Sequence, residues 1–314
     1  MDIILNLVLL VVGFLLLLKG ADFFVEGAAG IADKFHIPQI IIGLTIVAFG
    51  TSAPEAAVSI SAGLKGTGGI AVGNILGSNI FNILVILGIT CCIRVLKVKK
   101  DSIRFDLPFL VMISSVMIAV CVILGELNAK SGLILTAFFI IFLVQMVRAT
   151  LKERQENVEK QEFKQRNMWL LLLFTLGGMA AIIYGSDLTV ENAKEIAKVL
   201  GMSESLIGLT VISIGTSLPE LLTSITAARK GNADIAIGNI IGSNLFNILF
   251  VLGITSYITR VTIETNFIID SIIGLIAAVL LYIFAIKDKK LGRTFGVLAI
   301  VGYVVYFIYL LIAR

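Results

Sequence analysis

The motif Gly-Thr-Ser-x-Pro-Glu occurs twice in this chain, at residues 50–55 and 215–220, each time inside an apolar run long enough to cross a lipid bilayer. It ends on Glu55 in the first copy and on Glu220 in the second. A carboxylate at bilayer depth costs about 2.5–3.5 kcal/mol on insertion scales, so it is retained where it has something to bind. Two carboxylates at matching positions therefore predict one shared site.

The proline of each motif predicts a break in its helix. Proline has no N–H and its ring clashes with the carbonyl four residues earlier, so Pro54 frees the carbonyl of Gly50. Pro219 does the same for Gly215. Hydroxyl groups stand beside these carbonyls and carboxylates, at Thr51, Ser52, Thr216 and Ser217. A set made only of oxygen donors predicts a site for a hard cation such as Ca²⁺ or Na⁺, and it serves zinc and soft metals poorly.

A second repeated block, Gly-Asn-x-x-Gly-Ser-Asn-x-Phe-Asn, occupies residues 73–82 and 238–247. Its two glycines are four residues apart and predict a smooth face for close helix packing. The serine and the last asparagine of each block share one helix face, because side chains four residues apart lie one above the other. We expect these four residues to complete an oxygen shell opposite the glutamates: Ser78, Asn82, Ser243 and Asn247. The other asparagines of the blocks point to other faces.

An ordinary structural explanation also exists for each motif. Ser52 and Glu55 have the spacing of a capping box with a proline just inside the new helix, and Ser217 and Glu220 repeat that spacing. The serines and asparagines of the second block could serve only as hydrogen-bonding groups between helices. Inside a bilayer a capping box has no assured contact with water, so the capping explanation requires the same polar motif to be buried twice at equivalent positions. That cost favours a binding role for the motif. A cap could also hold each carboxylate at the break.

The composition places these motifs in a polytopic membrane protein. The chain has 314 residues, of which 58% are hydrophobic and 15% are charged, and its mean hydropathy is +1.03. Apolar stretches of about 20 residues, the length at which a helix spans the hydrocarbon, recur along the chain. They are continuous rather than alternating, so they predict an all-α bundle and not a membrane barrel. The ten predicted spans lie near residues 3–26, 38–64, 70–93, 103–124, 130–150, 168–190, 203–228, 235–257, 263–286 and 294–312.

The chain is an internal duplication. A shift of 165 residues aligns 20–90 with 185–255 without a gap, and about 30 of the last 50 aligned positions are identical. Each half has five predicted spans, so the second half enters the membrane from the opposite face, as in the inverted-topology repeats of many secondary transporters. The predicted organisation is a first repeat over 1–150 with its core at 39–90, a linker over 151–167, and a second repeat over 168–314 with its core at 204–255.

The basic residues predict the orientation in the cell membrane. Successive loops lie on alternate sides of the membrane, and on this assignment about 18 of the 25 lysines and arginines fall on one side. The side richer in basic residues is the cytoplasmic one. This predicts that both termini lie outside and that the charged linker 151–167 is cytoplasmic. Four acids lie at repeat-equivalent places near the ends of the first helix of each half, where they serve interfacial solvation or the mouth of an ion pathway: Asp22, Glu26, Asp187 and Glu191.

The two repeated blocks resemble the α-repeats of the sodium/calcium exchanger family, within the cation/calcium antiporter superfamily. The resemblance covers both repeats, the ten-helix count and the cytoplasmic linker, which is too short to hold a folded regulatory domain, as in the prokaryotic type. It implies secondary active exchange of Na⁺ for Ca²⁺ by alternating access around a midplane site, with no enzymatic activity and no cofactor. The expected partners are the two ions and the lipid bilayer, whereas neither nucleic acid nor an obligate protein partner is implied.

The resemblance also implies roles for individual residues. Glu55 and Glu220 would be the central calcium ligands, helped by the backbone carbonyls of Thr51 and Thr216. Some relatives carry an acid at the position that matches Asn247, so this asparagine leaves stoichiometry and potassium dependence open. Sodium would be held by the two glutamates, by the side chains of Ser52, Ser78, Ser217 and Ser243, and by the carbonyls of Ala48 and Ser213. In this family the first helix of each half is thought to slide.

Charge arithmetic supports exchange over its alternatives. Two glutamates give a site charge of about −2, which one Ca²⁺ or two Na⁺ neutralise, so the ions compete for the same oxygens. Proton/calcium exchange, with the glutamates carrying the protons, is the alternative within transport. A passive cation channel is a different class, but one site between inverted halves lacks a continuous ring of ligands. An intramembrane hydrolase is disfavoured because Ser52 and Ser217 have no histidine or lysine base in their motif.

Overall fold

A computed structural model describes residues 3–35, 37–66, 68–156, 167–200 and 213–313. This part of the chain is a bundle of helices, α1 to α6 in the first half and α7 to α12 in the second, and each second-half helix is numbered six higher than its repeat partner. The first half contains α1 Ile3–Phe35, α2 Gln39–Thr51, α3 Ala53–Leu64, α4 Gly68–Ile93, α5 Ser102–Leu124 and α6 Ala129–Glu156. The second contains α7 Met168–Val199, α8 Ser213–Thr216, α9 Leu218–Arg229, α10 Ala233–Ile258, α11 Thr265–Asp288 and α12 Arg293–Ala313.

The helices agree with the spans predicted from hydropathy. Within the described ranges, eight helices are long and apolar enough to cross a membrane, and α2 with α3 forms a ninth span bent by 50°. The remaining predicted span, 203–228, is the seventh in chain order and is described only from Ser213 onward. Helices α1, α6 and α7 run past their predicted ends, through mostly small residues in α1 and through stretches rich in charged residues in α6 and α7. Of the predicted linker, residues 157–166 lie outside the described part.

The first helices of the two halves pack against each other along their length. Gly13 of α1 lies beside Gly185 of α7, and Gly20 lies beside Gly178, so the two helices run in opposite directions. A Cβ at Gly20 would lie 2.9 Å from the carbonyl oxygen of Gly178, a distance that only a glycine permits. Small residues allow membrane helices to approach closely and gain dispersion contacts. An antiparallel pair of equivalent helices is what inverted repeats require.

Helices α4 and α10 occupy the centre of the bundle and are its most buried spans. Gly238 and Gly242 of α10 pack against the backbone of α2, where a Cβ would lie 2.6 Å from the Ile40 oxygen and 2.5 Å from the Leu44 oxygen. The smooth face predicted for the glycines of residues 238–247 is therefore confirmed. For the glycines of residues 73–82, the equivalent contact would be with residues 205–209, which lie outside the described part. For this copy the smooth face stays a prediction.

Two short ladders join the connections of one half to those of the other. Strand β1 (Leu96–Lys97) pairs antiparallel with β4 (Lys290–Leu291), and β2 (Glu126–Leu127) pairs antiparallel with β3 (Val261–Thr262). The two ladders are equivalent under the internal repeat. They tie the halves together beyond the ends of the helices, so α5 and α11 are held in place around the centre.

Candidate cation site

Each Gly-Thr-Ser-x-Pro-Glu motif contains the predicted helix break. Helix α2 ends at Thr51 and α3 begins at Ala53, with Ser52 between them at φ −82° and ψ 8°. Ser217 has φ −92° and ψ 6° at the equivalent break between α8 and α9. The proline follows in the first turn of each new helix, where its missing N–H costs no hydrogen bond. Both breaks are therefore confirmed.

The serine at each break bonds to the glutamate of the other half. Ser52 Oγ donates to Glu220 Oε1 at 2.8 Å, and Ser217 Oγ donates to Glu55 Oε1 at 3.1 Å. Neither serine caps its own helix through its side chain. The capping-box explanation is therefore wrong for these serines, since a capping hydroxyl accepts a backbone N–H of its own helix. All four side chains are buried, and together they join the two halves at one place.

Four buried oxygens of the repeated motifs have no hydrogen-bond partner among the described residues. They are one carboxylate oxygen of each glutamate, Glu55 Oε2 and Glu220 Oε2, and the amide oxygens of Asn82 and Asn247. A buried acceptor left unpaired costs about 1–3 kcal/mol, and more if it is charged. Two such oxygens from each half, equivalent under the repeat, form the kind of donor set that a hard cation binds.

Asparagines of α4 and α10 bond across the interface between the halves. Asn79 Nδ2 donates to the Asn244 carbonyl at 3.2 Å, and Asn244 Nδ2 donates to the Asn79 carbonyl at 3.2 Å. Asn82 Nδ2 donates to Asn244 Oδ1 at 3.0 Å, and Asn247 Nδ2 donates to Asn79 Oδ1 at 3.1 Å. These bonds hold the amides of Asn82 and Asn247 so that their oxygens stay free. Asn79 and Asn244 thus act as hydrogen-bonding groups between helices, the alternative role that the sequence left open for the asparagines of these blocks.

A further pair of asparagines holds the start of each glutamate-bearing helix. Asn74 Nδ2 donates to Ser59 Oγ at 3.0 Å and reaches the Glu55 carbonyl at 3.4 Å. In the second half, Asn239 Nδ2 donates to Ser224 Oγ at 2.9 Å and reaches the Glu220 carbonyl at 3.4 Å. These contacts fix α3 against α4 and α9 against α10, so they position both carboxylates. The serines, Ser59 and Ser224, also recur at the repeat spacing and were missed.

The remaining predicted serine ligands lie in the same cluster. Ser78 Oγ is 3.4 Å from Ser217 Oγ, and Ser243 Oγ is 3.5 Å from the carbonyl oxygen of Ala48. That carbonyl also accepts the Ser52 N–H at 3.0 Å. It is therefore already bonded, and a cation there would have to replace at least one of these donors.

The threonines of the motifs stand beside the glutamates of the opposite half. Thr51 Oγ1 donates to Asn239 Oδ1 at 3.0 Å and lies close to Glu220, while Thr216 lies close to Glu55. The backbone carbonyl of Ser213 opens α8 at the edge of a described range. Its role as a ligand stays a prediction.

One carbonyl that the helix break was predicted to free is satisfied by α7. The Gly215 oxygen accepts a hydrogen bond from Ser186 Oγ at 3.1 Å. In the first half the residue equivalent to Ser186 is Ala21, which has no hydroxyl. The two breaks therefore differ in how the adjoining first helix contacts them.

A buried carboxylate outside both motifs adjoins the asparagine network. Asp270 of α11 is 2% exposed and accepts a hydrogen bond from Tyr306 Oη of α12 at 3.0 Å. Together with Ser114 and Ser271 it lines a cavity of about 20 Å³ that reaches Asn79 and Asn244, which is room for a water molecule. Asp270 was missed in the sequence, although an acid inside the predicted span 263–286 was a usable signal.

Comparison with known proteins places the chain in a family. The family described as sodium/calcium exchanger protein matches residues 5–148 and 170–312, which together cover both repeats. The inner membrane protein YrbG of Escherichia coli is 37% identical over 310 residues, which covers 95% of this chain and 94% of that protein. The sodium/calcium exchanger MaX1 of Methanosarcina acetivorans is 30% identical over 350 residues, which covers 97% of this chain and 98% of that protein.

A solved structure agrees over the full bundle. The sodium-calcium exchanger NCX_Mj, soaked with zero Na⁺ and Ca²⁺, superposes with a TM-score of 0.88 at 30% identity, and the match covers 98% of this chain and 100% of that one. The fold is thus the ten-helix, inverted-repeat arrangement predicted from the sequence, and the protein is a multi-pass membrane transporter rather than an enzyme. The chain belongs to the sodium/calcium exchanger protein family.

Proposed function

We propose that this protein exchanges Na⁺ for Ca²⁺ across the cell membrane by alternating access, at the site formed by Glu55, Glu220 and their neighbours. The observation that carries the proposal is the set of four buried, unpaired oxygens, two from each repeat. Two of them belong to carboxylates, so one Ca²⁺ or two Na⁺ would balance the site charge and the ions would compete. Antiport follows because the site changes sides only with its charge balanced.

The predicted ligands take different parts in this proposal. The two glutamates bind either ion through Oε2, and the amide oxygens of Asn82 and Asn247 complete the set. Asn82 and Asn247 are neutral, so the glutamates alone supply the negative charge. Sodium additionally uses the hydroxyls and carbonyls nearby, in Ser52, Ser78, Ser217, Ser243, Ala48 and Ser213, while the carbonyls of Thr51 and Thr216 assist calcium.

The proposed orientation follows the basic residues. Both termini lie outside, and the linker 151–167 lies in the cytoplasm together with the loop that carries Arg229 and Lys230. The lipid bilayer and the two ions suffice as partners for this proposal.

Transport by purified protein in vesicles tests the function. Vesicles loaded with Na⁺ and diluted into sodium-free buffer should accumulate radioactive calcium, and an ionophore that collapses the sodium gradient should stop the uptake. The control is vesicles without protein. Calcium flux driven by a pH gradient in the absence of sodium would instead support proton exchange, and calcium flux without any counter-ion would indicate a channel.

Replacement of Ser52 by alanine should lower the apparent affinity for Na⁺ about tenfold. The variant loses a hydroxyl oxygen of the site and the 2.8 Å bond that orients Glu220, and a hydrogen bond to a charged group is worth about 1.5–3 kcal/mol. The measurement is the sodium concentration that half-inhibits calcium binding. Ser115→Ala is the matched control, because this serine is exposed and, within the described part of the chain, its hydroxyl bonds to the Val111 carbonyl of its own helix. An unchanged sodium dependence in Ser52→Ala would remove Ser52 from the site.

A further inference from the structure

Two groups of charged residues occupy repeat-equivalent positions, and each consists of two acids on the first helix of one half and one lysine in a loop of the other half. The first group is Asp22 and Glu26 of α1 with Lys230, which follows α9. The second group is Asp187 and Glu191 of α7 with Lys65, which follows α3. Each member of one group differs from its counterpart in the other group by 165 in residue number, which is the period of the internal repeat. Because the repeats are inverted, the two groups lie toward opposite membrane faces.

The first group is closed in this structure. Lys230 Nζ lies 3.5 Å from Asp22 Oδ1 and 3.8 Å from Glu26 Oε2. The same ammonium donates to the backbone carbonyl of Asp22 at 2.6 Å. A single lysine thus contacts two successive turns of α1 and ties that helix to the end of α9.

The second group is open. Lys65, Asp187 and Glu191 all belong to the described residues, and no ion pair within 4.0 Å joins any of them to another described group. All three side chains are exposed to their surroundings. The same three residue types at equivalent positions are therefore paired in one half of the molecule and separated in the other.

The loops themselves do not cause the difference. Lys65 has φ −84° and ψ 0°, Lys230 has φ −72° and ψ −3°, and each is followed by a glycine of positive φ, 75° at Gly66 and 89° at Gly231. A left-handed residue at this point requires glycine in both loops. What differs is the packing of the long helices, since α1 lies along α9, whereas α7 has almost no contact with α3.

We propose that these groups are alternating latches of the transport cycle, and this rests on the alternating access proposed above. The Lys230 latch (Asp22, Glu26, Lys230) holds the bundle closed on its face while the Lys65 latch (Asp187, Glu191, Lys65) is open. When the closely packed pair of α1 and α7 shifts relative to the other helices, the repeats exchange roles. The Lys230 latch then breaks and the Lys65 latch forms, so that the site is closed from the opposite face.

The latches tune the balance between the two states rather than impose it. Their side chains are 32% to 46% exposed in the closed group, and exposed ion pairs have modest strength. Loss of one latch should therefore change the ratio of the two states by about two- to fivefold. Loss of the other should change it by a similar factor in the opposite direction, because each variant weakens a different state.

Distances between spin labels test this directly. The three native cysteines, Cys91, Cys92 and Cys121, are first replaced by alanine. Labels at Ile70 of α4 and Val199 of α7 then report the separation of α7 from the remaining helices near the Lys65 latch, since both side chains are exposed. Electron paramagnetic resonance on the full chain in lipid nanodiscs should give two distance populations. Lys230→Gln should enrich the population that is minor in the unmodified background, and Lys65→Gln should deplete it.

A charge exchange separates a latch from a general loss of packing. Lys230→Glu should enrich the minor population more than Lys230→Gln does, and Lys230→Glu combined with Asp22→Lys should move the distribution back toward the starting one. Unchanged populations in Lys230→Gln, or shifts of both lysine variants in the same direction, would overturn the proposal. The distances need no transport, so a chain that shows these shifts but no sodium-driven calcium uptake would overturn the proposed function and leave the latches standing.

Discussion

Sodium-driven calcium uptake is expected to fall at least about 100-fold when either Glu55 or Glu220 is replaced by glutamine. Glutamine has the same shape and can still accept the hydrogen bond from the serine of the other half, but it reduces the site charge from about −2 to about −1. The carboxylate oxygen that has no partner, Oε2, is the atom affected. Loss of one partner from a buried charge pair costs about 2–5 kcal/mol, and about 2.7 kcal/mol corresponds to 100-fold.

The two glutamine variants should behave alike, because the glutamates are equivalent under the repeat and each is held by a serine of the opposite half. The measurement is the initial rate of radioactive calcium uptake into sodium-loaded vesicles, with elution from a sizing column as the check on folding. Glu264→Gln is the matched control, since this glutamate is exposed and precedes α11. Uptake at the unmodified rate in a well-folded Glu55→Gln or Glu220→Gln protein would refute the assignment of the site.

Replacement of Gly178 by valine should destabilise the bundle by about 3 kcal/mol. A Cβ at this position would lie 2.5 Å from the backbone nitrogen of Phe24 and 2.8 Å from the carbonyl oxygen of Gly20. Backbone atoms cannot rotate away as a side chain does, so α1 and α7 must separate, and overpacking of this kind costs about 1–3 kcal/mol or more. The lost contacts are the dispersion contacts that hold membrane helices together.

The neighbouring residue supplies the control for this prediction. Gly177 precedes Gly178 in the same helix, and a Cβ there would have no described atom within 4 Å. Gly177→Val therefore carries the same change in helix propensity without the collision. The readout is the temperature at which half of the detergent-solubilised protein loses its monodisperse elution peak. It should fall by several degrees in Gly178→Val only, and equal melting of the two variants would show that the α1 and α7 contact contributes little.

Much of the architecture followed from patterns that are local in the sequence. The apolar stretches predicted the helices because a bilayer leaves a backbone few ways to satisfy its polar groups. The 165-residue repeat predicted the inverted halves, and the prolines predicted the helix breaks at Ser52 and Ser217. Glu55 and Glu220 were identifiable for the same reason, since a carboxylate in an apolar stretch is costly wherever the helix packs.

The partners of those glutamates were decided only by the tertiary structure. Local spacing put Ser52 in a capping box with Glu55, but its hydroxyl bonds to Glu220 instead. Hydropathy could not reveal the bonds between Asn79 and Asn244 or the bond from Tyr306 to Asp270. These contacts join residues more than 160 positions apart, or depend on which helix lies alongside, and no local pattern contains that information.

The sequence by itself determined the membrane fold, the duplication and the two acidic positions, because each depends on the chain's own periodicity and on the cost of burying charge. Which of the two charged groups is paired depends instead on the tertiary structure. The residues of both groups are equivalent in sequence, yet Lys230 is paired and Lys65 is not. The two halves differ in packing, because α1 lies along α9 whereas α7 has almost no contact with α3, and this difference is visible only in the three-dimensional arrangement.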